Sequence, residues 1–260
     1  MNCILFHVPH SSLNIPKKYW SICKIDKDYI NKTNIFLSDY LTDKLIPNKC
    51  HKLVFKYSRI FCDVEKFKDD SKEVMSKKGM GVIYTNDCDN KIAYPNKKYK
   101  NIVYKSYYDK HHNKLDKMVT NLLKKYNKCI IIDFHSFSDE MVKKVFNINN
   151  NPDICIGIDD FYTDKKLIDF TVNYFKQYGY KVEINKPYTG TIVPNKYFNK
   201  KEKKLLSIML EINKRIYLND NFNELKKCID DYYKKILHSD FSYCNLYDSV
   251  LKLSSNKDSI

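Results

Sequence analysis

The centre of the chain reads Cys129-Ile130-Ile131-Ile132-Asp133-Phe134-His135-Ser136-Phe137, and this stretch decides the fold. Its apolar part, from Cys129 to Phe134, has the length of one buried strand and is far shorter than the roughly 18–20 residues of a membrane span. A dense apolar strand of this kind is typical of a sheet that helices cover on both faces. The polar residues His135 and Ser136 then stand at the carboxyl end of that strand.

Working outward from this strand, the pattern alternates between strands and helices. Further strands are predicted at Cys3–Val8, Lys52–Tyr57, Asp153–Ile158, Tyr180–Ile184 and Leu205–Ile212. Helical recurrence of apolar residues is found at about 26–45, 101–127, 164–178 and 221–237. Residues 64–100 are polar and predict a long loop, which in a compact domain usually serves function. The alternation predicts an α/β fold of three layers, with a central mixed, mostly parallel sheet between helices.

The composition of the 260 residues fits a globular protein, because only five are glycine and seven proline while 43% are hydrophobic. We expect a single domain over residues 1–245, followed by a C-terminal tail at 246–260. The net charge is +15, but only two of the 46 basic residues are arginines, Arg59 and Arg215. We therefore interpret the charge as a solvated lysine surface and expect no nucleic-acid partner, since nucleic-acid recognition relies on arginine.

Nine cysteines are scattered singly and none forms a Cys-x-x-Cys pair, which predicts reduced thiols rather than disulfides or a zinc ribbon. The N-terminus does not have the basic and apolar regions of a signal peptide. We expect a soluble, cytoplasmic protein with no membrane partner, and the sequence leaves its oligomeric state open.

Polar side chains follow several of the predicted strands, where ligands bind in open α/β sheets. They are two histidines that each precede a serine, an arginine, several carboxylates and a loop tyrosine: His10, His135, Arg59, Asp63, Asp133, Glu211 and Tyr188. Imidazole and carboxylate groups are the ligands that zinc accepts in catalytic sites. This pattern favours a metal-dependent hydrolase, although a single histidine at a strand end is more often structural.

The segment His135-Ser136-Phe137 resembles the His-Ser-aromatic segment that carries a zinc ligand in zinc carboxypeptidases. The chain as a whole resembles the N-formylglutamate amidohydrolase family over roughly residues 4–218. The matching segments occur in family order: His7-Val8-Pro9-His10-Ser11-Ser12, Ser38-Asp39-Tyr40, Ser58-Arg59 to Phe67, Gly79-Met80-Gly81, Tyr107 to His112, Ile132 to Phe137, Pro152 to Gly157, Asn185 to Thr191 and Ser207 to Asn213. The resemblance implies a phosphorylase/hydrolase-like fold and zinc-dependent hydrolysis of N-formyl-L-glutamate to formate and L-glutamate, a reaction of histidine degradation.

The same resemblance implies that His10 and His135 hold zinc. Asp39 is the favoured third ligand, and His7 is its rival because His7-x-x-His10 has the separation of a two-ligand motif. Asp133 points to the same strand face as His135 and could orient a histidine by accepting its other N–H.

Glu211 is the expected general base, because a carboxyl group at the end of an apolar strand has its pKa raised by desolvation. The alternative is an ion pair between Glu211 and Arg215. Arg59 and Tyr188 are the other expected catalytic residues: Arg59 would grip a substrate carboxylate, and Tyr188 would bind substrate or a developing oxyanion. The alternatives are a structural pairing of Arg59 with Asp63 or Glu65 and simple packing of Tyr188.

The expected contacts to a small N-acyl amino acid are Arg59, Lys66, Tyr188, Thr189, Gly190 and Thr191. At the position of Lys66 the family commonly has arginine. Lysine does not provide the planar, bidentate contact that a guanidinium makes with a carboxylate. We expect His111 and His112 to pack against the site rather than to bind substrate.

Two other functions remain open at this stage. The zinc chemistry could act on a different N-acyl amino acid or on a small peptide. The chain could also be a non-enzymatic basic binding protein, whose binding would fall steeply with salt.

Overall fold

The computed structural model describes residues 2–87 and 89–239, and its centre is a six-stranded sheet in the order β2-β1-β3-β6-β4-β5. The strands are β1 (Ile4–Val8), β2 (His51–Val54), β3 (Cys129–Phe137), β4 (Ile154–Gly157), β5 (Val182–Ile184) and β6 (Leu205–Asn213). Strand β4 pairs antiparallel with β6 and parallel with β5, whereas the pairs β1–β2, β1–β3 and β3–β6 are parallel. The predicted α/β fold with a mixed, mostly parallel sheet is confirmed.

Helices cover both faces of this sheet. They are α1 (Lys17–Trp20), α2 (Lys27–Leu37), α3 (Thr42–Leu45), α4 (Lys97–Val103), α5 (Asp109–Tyr126), α6 (Asp139–Phe146), α7 (Lys165–Gln177) and α8 (Phe222–Leu237). On one face, alternate residues of β1, β3 and β6, such as Phe6 and Phe134, pack against α3, α7 and α8. On the other face, Leu5 and Ile131 pack against Leu115 and Val119 of α5.

The predicted helix over residues 26–45 is in fact two helices, and this correction matters for the site. Helix α2 ends at Leu37, Ser38 is extended, and Leu41 takes a left-handed conformation with φ of 66° before α3 begins. The break falls on Asp39, whose backbone N–H donates to the carbonyl of His10 at 2.9 Å. The interruption therefore places Asp39 beside the segment that follows β1.

Residues 64–100, predicted as a loop, pack with earlier residues of the chain, from Tyr19 onward. Together they form a second apolar cluster beside the sheet. Its buried members include Tyr19, Phe61, Val82, Tyr84 and Tyr99. Within it lies a short 3₁₀ helix at Val74–Lys78, and α4 starts at Lys97, earlier than the predicted start at 101. A π-helical turn at Tyr104–Tyr108 joins α4 to α5. The sequence pattern did not predict helix α6, which follows β3 directly.

Two further observations concern earlier expectations. None of the helices in residues 2–87 and 89–239 is both long and apolar enough to cross a membrane. The predicted tail at 246–260, and the last residues of the predicted domain from 240 on, lie outside the described residues.

Candidate active site

The sheet brings four polar side chains to one face at the carboxyl ends of β1, β3 and β6. His7 pairs in register with Asp133 on the neighbouring strand, and His135 pairs in register with Glu211. Because side chains alternate along a strand, Asp133 and His135 share a face. All four are nine-tenths or more buried. They lie on the sheet face opposite Phe6, Phe134 and Leu210, which belong to the main core.

Three of the expected residues converge beyond this edge: His10, Asp39 and His135. The Oδ2 atom of Asp39 lies 3.1 Å from Nδ1 of His135 and 3.5 Å from Nδ1 of His10. All three side chains are buried, and they could together hold a metal ion. Nδ1 of His10 has no hydrogen-bond partner among the described residues. Two imidazole nitrogens and a carboxylate oxygen, one of them unpaired, form a donor set that suits zinc.

Each of these imidazoles has a carboxylate behind it. Asp63 Oδ1 lies 2.8 Å from Nε2 of His10, and Asp133 Oδ1 lies 3.0 Å from Nε2 of His135. A carboxylate in this position accepts the proton of Nε2 and thereby leaves the Nδ1 lone pair directed at the cluster. This arrangement is usual for histidines that bind a metal.

The charges of the cluster also favour a cation. Burial by itself would lower the pKa of His135, but Asp133 and Asp39 outweigh it and raise that pKa well above its usual value. Burial by itself would raise the pKa of Asp39, but the imidazoles of His10 and His135 hold that pKa well below its usual value. The buried carboxylates therefore demand positive charge, which either protons or a metal ion can supply.

His7, the rival ligand, belongs to a different group. Its Nδ1 lies 2.9 Å from Asp133 and 3.2 Å from Glu65, and its Nε2 lies 2.8 Å from Nε2 of His111. Burial by itself lowers the pKa of His7, but Asp133 and Glu65 outweigh it and raise that pKa to about 9. His7, Glu65 and Asp133 also lie within reach of one shared ion, but a proton on His7 already offsets one of the two carboxylate charges.

The two neighbouring histidines on α5 differ in their contacts. Burial and the charge of His7 lower the pKa of His111 well below its usual value, so His111 is neutral and accepts a hydrogen bond from His7. His112 donates from Nε2 to the carbonyl of Val64 at 2.9 Å and stacks against Tyr108. Both histidines therefore hold neighbouring residues in place.

Glu211 lines a cavity of about 260 Å³, together with His10 and His135. Burial raises the pKa of its carboxyl to about 8, with Asp39 adding to the effect and His135 opposing it. Its Oε2 atom has no hydrogen-bond partner within residues 2–87 and 89–239. The alternative ion pair with Arg215 does not form, because Arg215 binds Asp139 and Asp153, each at 2.7 Å.

Arg59 also lines this cavity, but its guanidinium is largely engaged. Nε and Nη2 donate to Asp63 Oδ2 at 3.2 and 3.0 Å, and Nη1 donates to the carbonyl of Leu37 at 3.3 Å. Nη1 also lies 3.8 Å from Asp39 Oδ1, and 20% of the side chain remains exposed. Arg59 thus holds the carboxylate behind His10 and still presents one edge to the cavity.

The expected substrate contacts divide into two groups. Tyr188, Thr189 and Lys66 line the same cavity as Glu211. Gly190 and Thr191 instead line a neighbouring cavity, and the Thr191 hydroxyl lies 2.8 Å from that of Ser207. The Lys66 ammonium lies 3.5 Å from Glu73. The Tyr188 ring packs between Phe137 and Phe146, and burial raises the pKa of its hydroxyl.

Sequence reasoning missed three contributions to this site. Asp63 is expected among the polar residues after the strands, but the one role considered for it is a pairing with Arg59; its bond to His10 depends on a loop whose path the sequence does not reveal. Glu65 stands in the same matching segment, Ser58 to Phe67, and this was the available signal. Lys214 lines the cavity but could not be distinguished from the many surface lysines.

Comparison with known proteins adds independent findings. The chain matches a crystal structure of N-formylglutamate amidohydrolase from Ralstonia eutropha JMP134 with a TM-score of 0.79 and 17% identity, covering 91% of this chain and 93% of that one. A gene product of Agrobacterium tumefaciens matches with a TM-score of 0.63 and 16% identity, covering 90% and 92%. At these identities the likeness shows the fold.

A comparison with curated protein sequences gives no match. The family model of N-formylglutamate amidohydrolase matches residues 2–218, which is most of the sequence. This stretch contains both carboxylate–histidine pairs, Arg59 and Glu211. The chain therefore belongs to the N-formylglutamate amidohydrolase family.

Proposed function

We propose that the protein is a zinc-dependent amidohydrolase that cleaves N-formyl-L-glutamate to formate and L-glutamate. The observation that carries the proposal is the convergence of His10, Asp39 and His135, with both histidines lining the same cavity as Glu211, a buried carboxyl group with a pKa of about 8. Family membership supports the choice of substrate.

The proposed metal ligands are Nδ1 of His10, a carboxylate oxygen of Asp39 and Nδ1 of His135. The unpaired Nδ1 of His10 and the carboxylates on both Nε2 atoms support this choice over a site that includes His7. A zinc ion bound there would supply a Lewis acid that lowers the pKa of water and polarises the formyl carbonyl.

Glu211 is the proposed general base. It takes a proton from the attacking water, the water oxygen bonds to the formyl carbon, and the C–N bond breaks as the proton passes to the departing nitrogen. A carboxyl group with a pKa near the working pH can both accept and return this proton. The unpaired Oε2 of Glu211 is free to receive it.

The remaining proposed roles concern the substrate. Arg59 and Tyr188 border the cavity and would donate to the oxyanion that develops on the formyl oxygen or to a substrate carboxylate. Lys66 and Thr189 would contact the substrate directly. Gly190 and Thr191 would support the loop that carries Tyr188, since they face the neighbouring cavity.

One observation favours a second candidate, an N-acyl amino acid with an apolar side chain. One wall of the cavity is apolar and includes Phe36, Met141, Val145 and Phe146. Comparing kcat/KM for N-formyl-L-glutamate and N-formyl-L-methionine distinguishes the two candidates.

The test is formate release by the purified protein, with its metal content measured in parallel. We expect activity with N-formyl-L-glutamate, loss of activity with a chelator and recovery with zinc. Glu211→Gln should lower kcat by about 10²- to 10⁴-fold while zinc content stays unchanged. Glu224→Gln, an exposed position on α8, is the matched control and should keep full activity. Full activity in Glu211→Gln, or protein that binds no zinc, would contradict the proposal.

A further inference from the structure

Lys214 is a cationic residue of the cavity that has no role in the function proposed above. It follows β6 directly, three residues after Glu211, and begins a short 3₁₀ turn at Lys214–Ile216. Its side chain lines the cavity together with Glu211, His10 and Tyr188. Its ammonium group donates to the carbonyl of Phe36, near the end of α2, at 3.0 Å.

The other cations of the cavity have anionic partners. Arg59 binds Asp63 at 3.0 Å, and Lys66 lies 3.5 Å from Glu73. Among the described residues, the Lys214 ammonium contacts the Phe36 carbonyl and forms no ion pair with a carboxylate. Burial lowers the pKa of Lys214 below its usual value, and the charge of Arg59 adds to this effect, while the charges of Asp39 and Glu211 oppose it.

An ammonium group has three N–H donors, and the Phe36 carbonyl accepts from one of them. The remaining donors belong to a partly buried cation that lines the cavity. Removing a cation from water costs free energy unless an anion or several acceptors replace the water. An anionic group of a ligand in the cavity would supply that replacement.

We propose that Lys214 binds the side-chain carboxylate of the substrate and so selects acidic N-acyl amino acids. This inference rests on the proposed function and extends it, because it assigns substrate selectivity to a residue outside the metal cluster. Lys214 would also be a cation available to the substrate, because Arg59 is engaged by Asp63 and Lys66 by Glu73.

A structural role offers a rival explanation, since a lysine that donates to the last carbonyls of a helix stabilises the helix end. The chain contains a matched case in Lys226. Its ammonium donates to the carbonyls of Lys44 and Ile46, beside the end of α3, at 2.7 and 3.2 Å. Lys226 does not line the cavity. Lys226→Met therefore removes a similar backbone contact without touching the substrate.

The experiment compares Lys214→Met, Lys214→Arg and Lys226→Met on three substrates. N-Formyl-L-glutamate has both carboxylates, N-formyl-L-glutamine does not have the side-chain carboxylate, and N-formyl-4-aminobutyrate does not have the α-carboxylate. Lys214→Met should lower kcat/KM for N-formyl-L-glutamate by about 10- to 100-fold, mainly through KM, as expected for one charge-assisted hydrogen bond. For N-formyl-L-glutamine, which has no side-chain carboxylate for Lys214 to bind, the loss caused by Lys214→Met should stay below about threefold.

Lys214→Arg should recover part of the lost efficiency, and Lys226→Met should behave as the wild type. Equal losses on all three substrates, or an equal effect of Lys226→Met, would overturn the proposal in favour of a structural role. If the wild type releases no formate, the proposed function fails, and the inference is decided by calorimetric binding of glutarate. Binding at least about 10-fold weaker in Lys214→Met than in Lys226→Met supports it, and equal binding overturns it.

Discussion

At the scale of single residues, the site depends on carboxylates that stand behind histidines. Asp133 contacts Nδ1 of His7 and Nε2 of His135 through one oxygen, and its other oxygen accepts from the backbone of Ile192. Asp63 contacts Nε2 of His10 and the guanidinium of Arg59. These bonds fix the rings before any ligand arrives, which is how a metal site gains affinity beyond its direct ligands.

Replacing Asp63 by asparagine tests this support for His10. The amide can still accept one hydrogen bond, but it carries no charge to hold the Nε2 proton or the Arg59 guanidinium. We expect zinc affinity to fall by about 10- to 100-fold, measured by competition with a chromophoric chelator. Asp169→Asn, which removes a surface pair with Lys165, serves as the control. Unchanged affinity would show that Asp63 does not support the metal site.

The pKa of Glu211 predicts how the stability of the zinc-free protein depends on pH. The unfolded chain loses the Glu211 proton near the ordinary pKa of 4.5, whereas the folded protein keeps it until about 8. The folded state therefore binds more protons between these values, and its stability falls as pH rises through this window. Glu211→Gln removes this loss.

We expect Glu211→Gln to unfold at a higher urea concentration than the wild type near pH 7. The free energy of unfolding should rise by roughly 1–3 kcal/mol. Below about pH 4 this difference should disappear, because Glu211 is then protonated in both the folded and the unfolded wild type. A difference that is the same at all pH values would mean that the carboxyl charge is not its cause.

The residues that the sequence could identify share one property: they lie at, or just after, the carboxyl ends of strands. His10, His135 and Glu211 were predictable because a dense apolar run precedes each of them and predicts the strand. Asp39 was predictable only by resemblance, since the apolar recurrence continues across it. The role of Asp63 and the exposure of Lys214 to the cavity depend on chain paths over loops, which local patterns do not determine.

At the scale of elements, strands were predicted better than helix boundaries. The six predicted strands agree with β1 to β6 to within a few residues, because their apolar runs are short and bounded by polar segments. The break between α2 and α3 was missed because Leu41, an apolar residue in the pattern, adopts a left-handed conformation there. Such a conformation is unusual for leucine and leaves no trace in a hydrophobicity pattern.

Strand β4 packs closely against the loop that carries Tyr188, and this contact can be tested by a substitution at Gly157. A Cβ atom at Gly157 would lie 2.2 Å from the carbonyl of Gly190 and 2.3 Å from Cε of Met209. Gly157→Ala must therefore displace the loop or the strand. We expect a loss of about 1–3 kcal/mol in the free energy of unfolding and a raised KM, because Tyr188 and Thr189 move with Gly190.

The control for this change is Gly81→Ala, whose new Cβ would come close only to the side-chain end of Asp70, at 2.9 Å, while Ser76 stays at an ordinary contact distance of 3.6 Å. Urea unfolding and steady-state kinetics on both variants make the comparison. Equal effects of the two substitutions would mean that the contact with Gly190 does not position the loop.

At the scale of the whole molecule, the site lies where the sheet meets the second apolar cluster. His135 and Glu211 come from the sheet, whereas Met80 and Tyr84 come from the second cluster and line the same cavity. Composition and alternation were sufficient to predict the three layers. They could not predict that residues 64–100 would pack with earlier residues such as Tyr19 and Phe61 into a second core, because that packing depends on scattered aromatic residues rather than on a regular period.

Zinc bound between these parts should stabilise the entire fold. A ligand that binds only the native state adds about 4 kcal/mol at 1,000 times its dissociation constant. We therefore expect zinc to raise the thermal midpoint of metal-free protein in a concentration-dependent way, measured by calorimetry. His10→Gln should remove most of this shift, whereas His51→Gln, on the outer strand β2, should leave it intact. A shift of equal size in His10→Gln would place zinc elsewhere.

The apolar wall formed partly by Met141, Val145 and Phe146 belongs to α6, an element that contributes none of the proposed metal ligands. This part of the cavity wall is thus carried by a different element from the proposed metal ligands, Glu211 and Lys214. An engineer who randomises these three positions would vary the apolar wall while those residues stay unchanged. Natural divergence has the same route open to it, and new specificities can arise on this scaffold by changes to a single short helix.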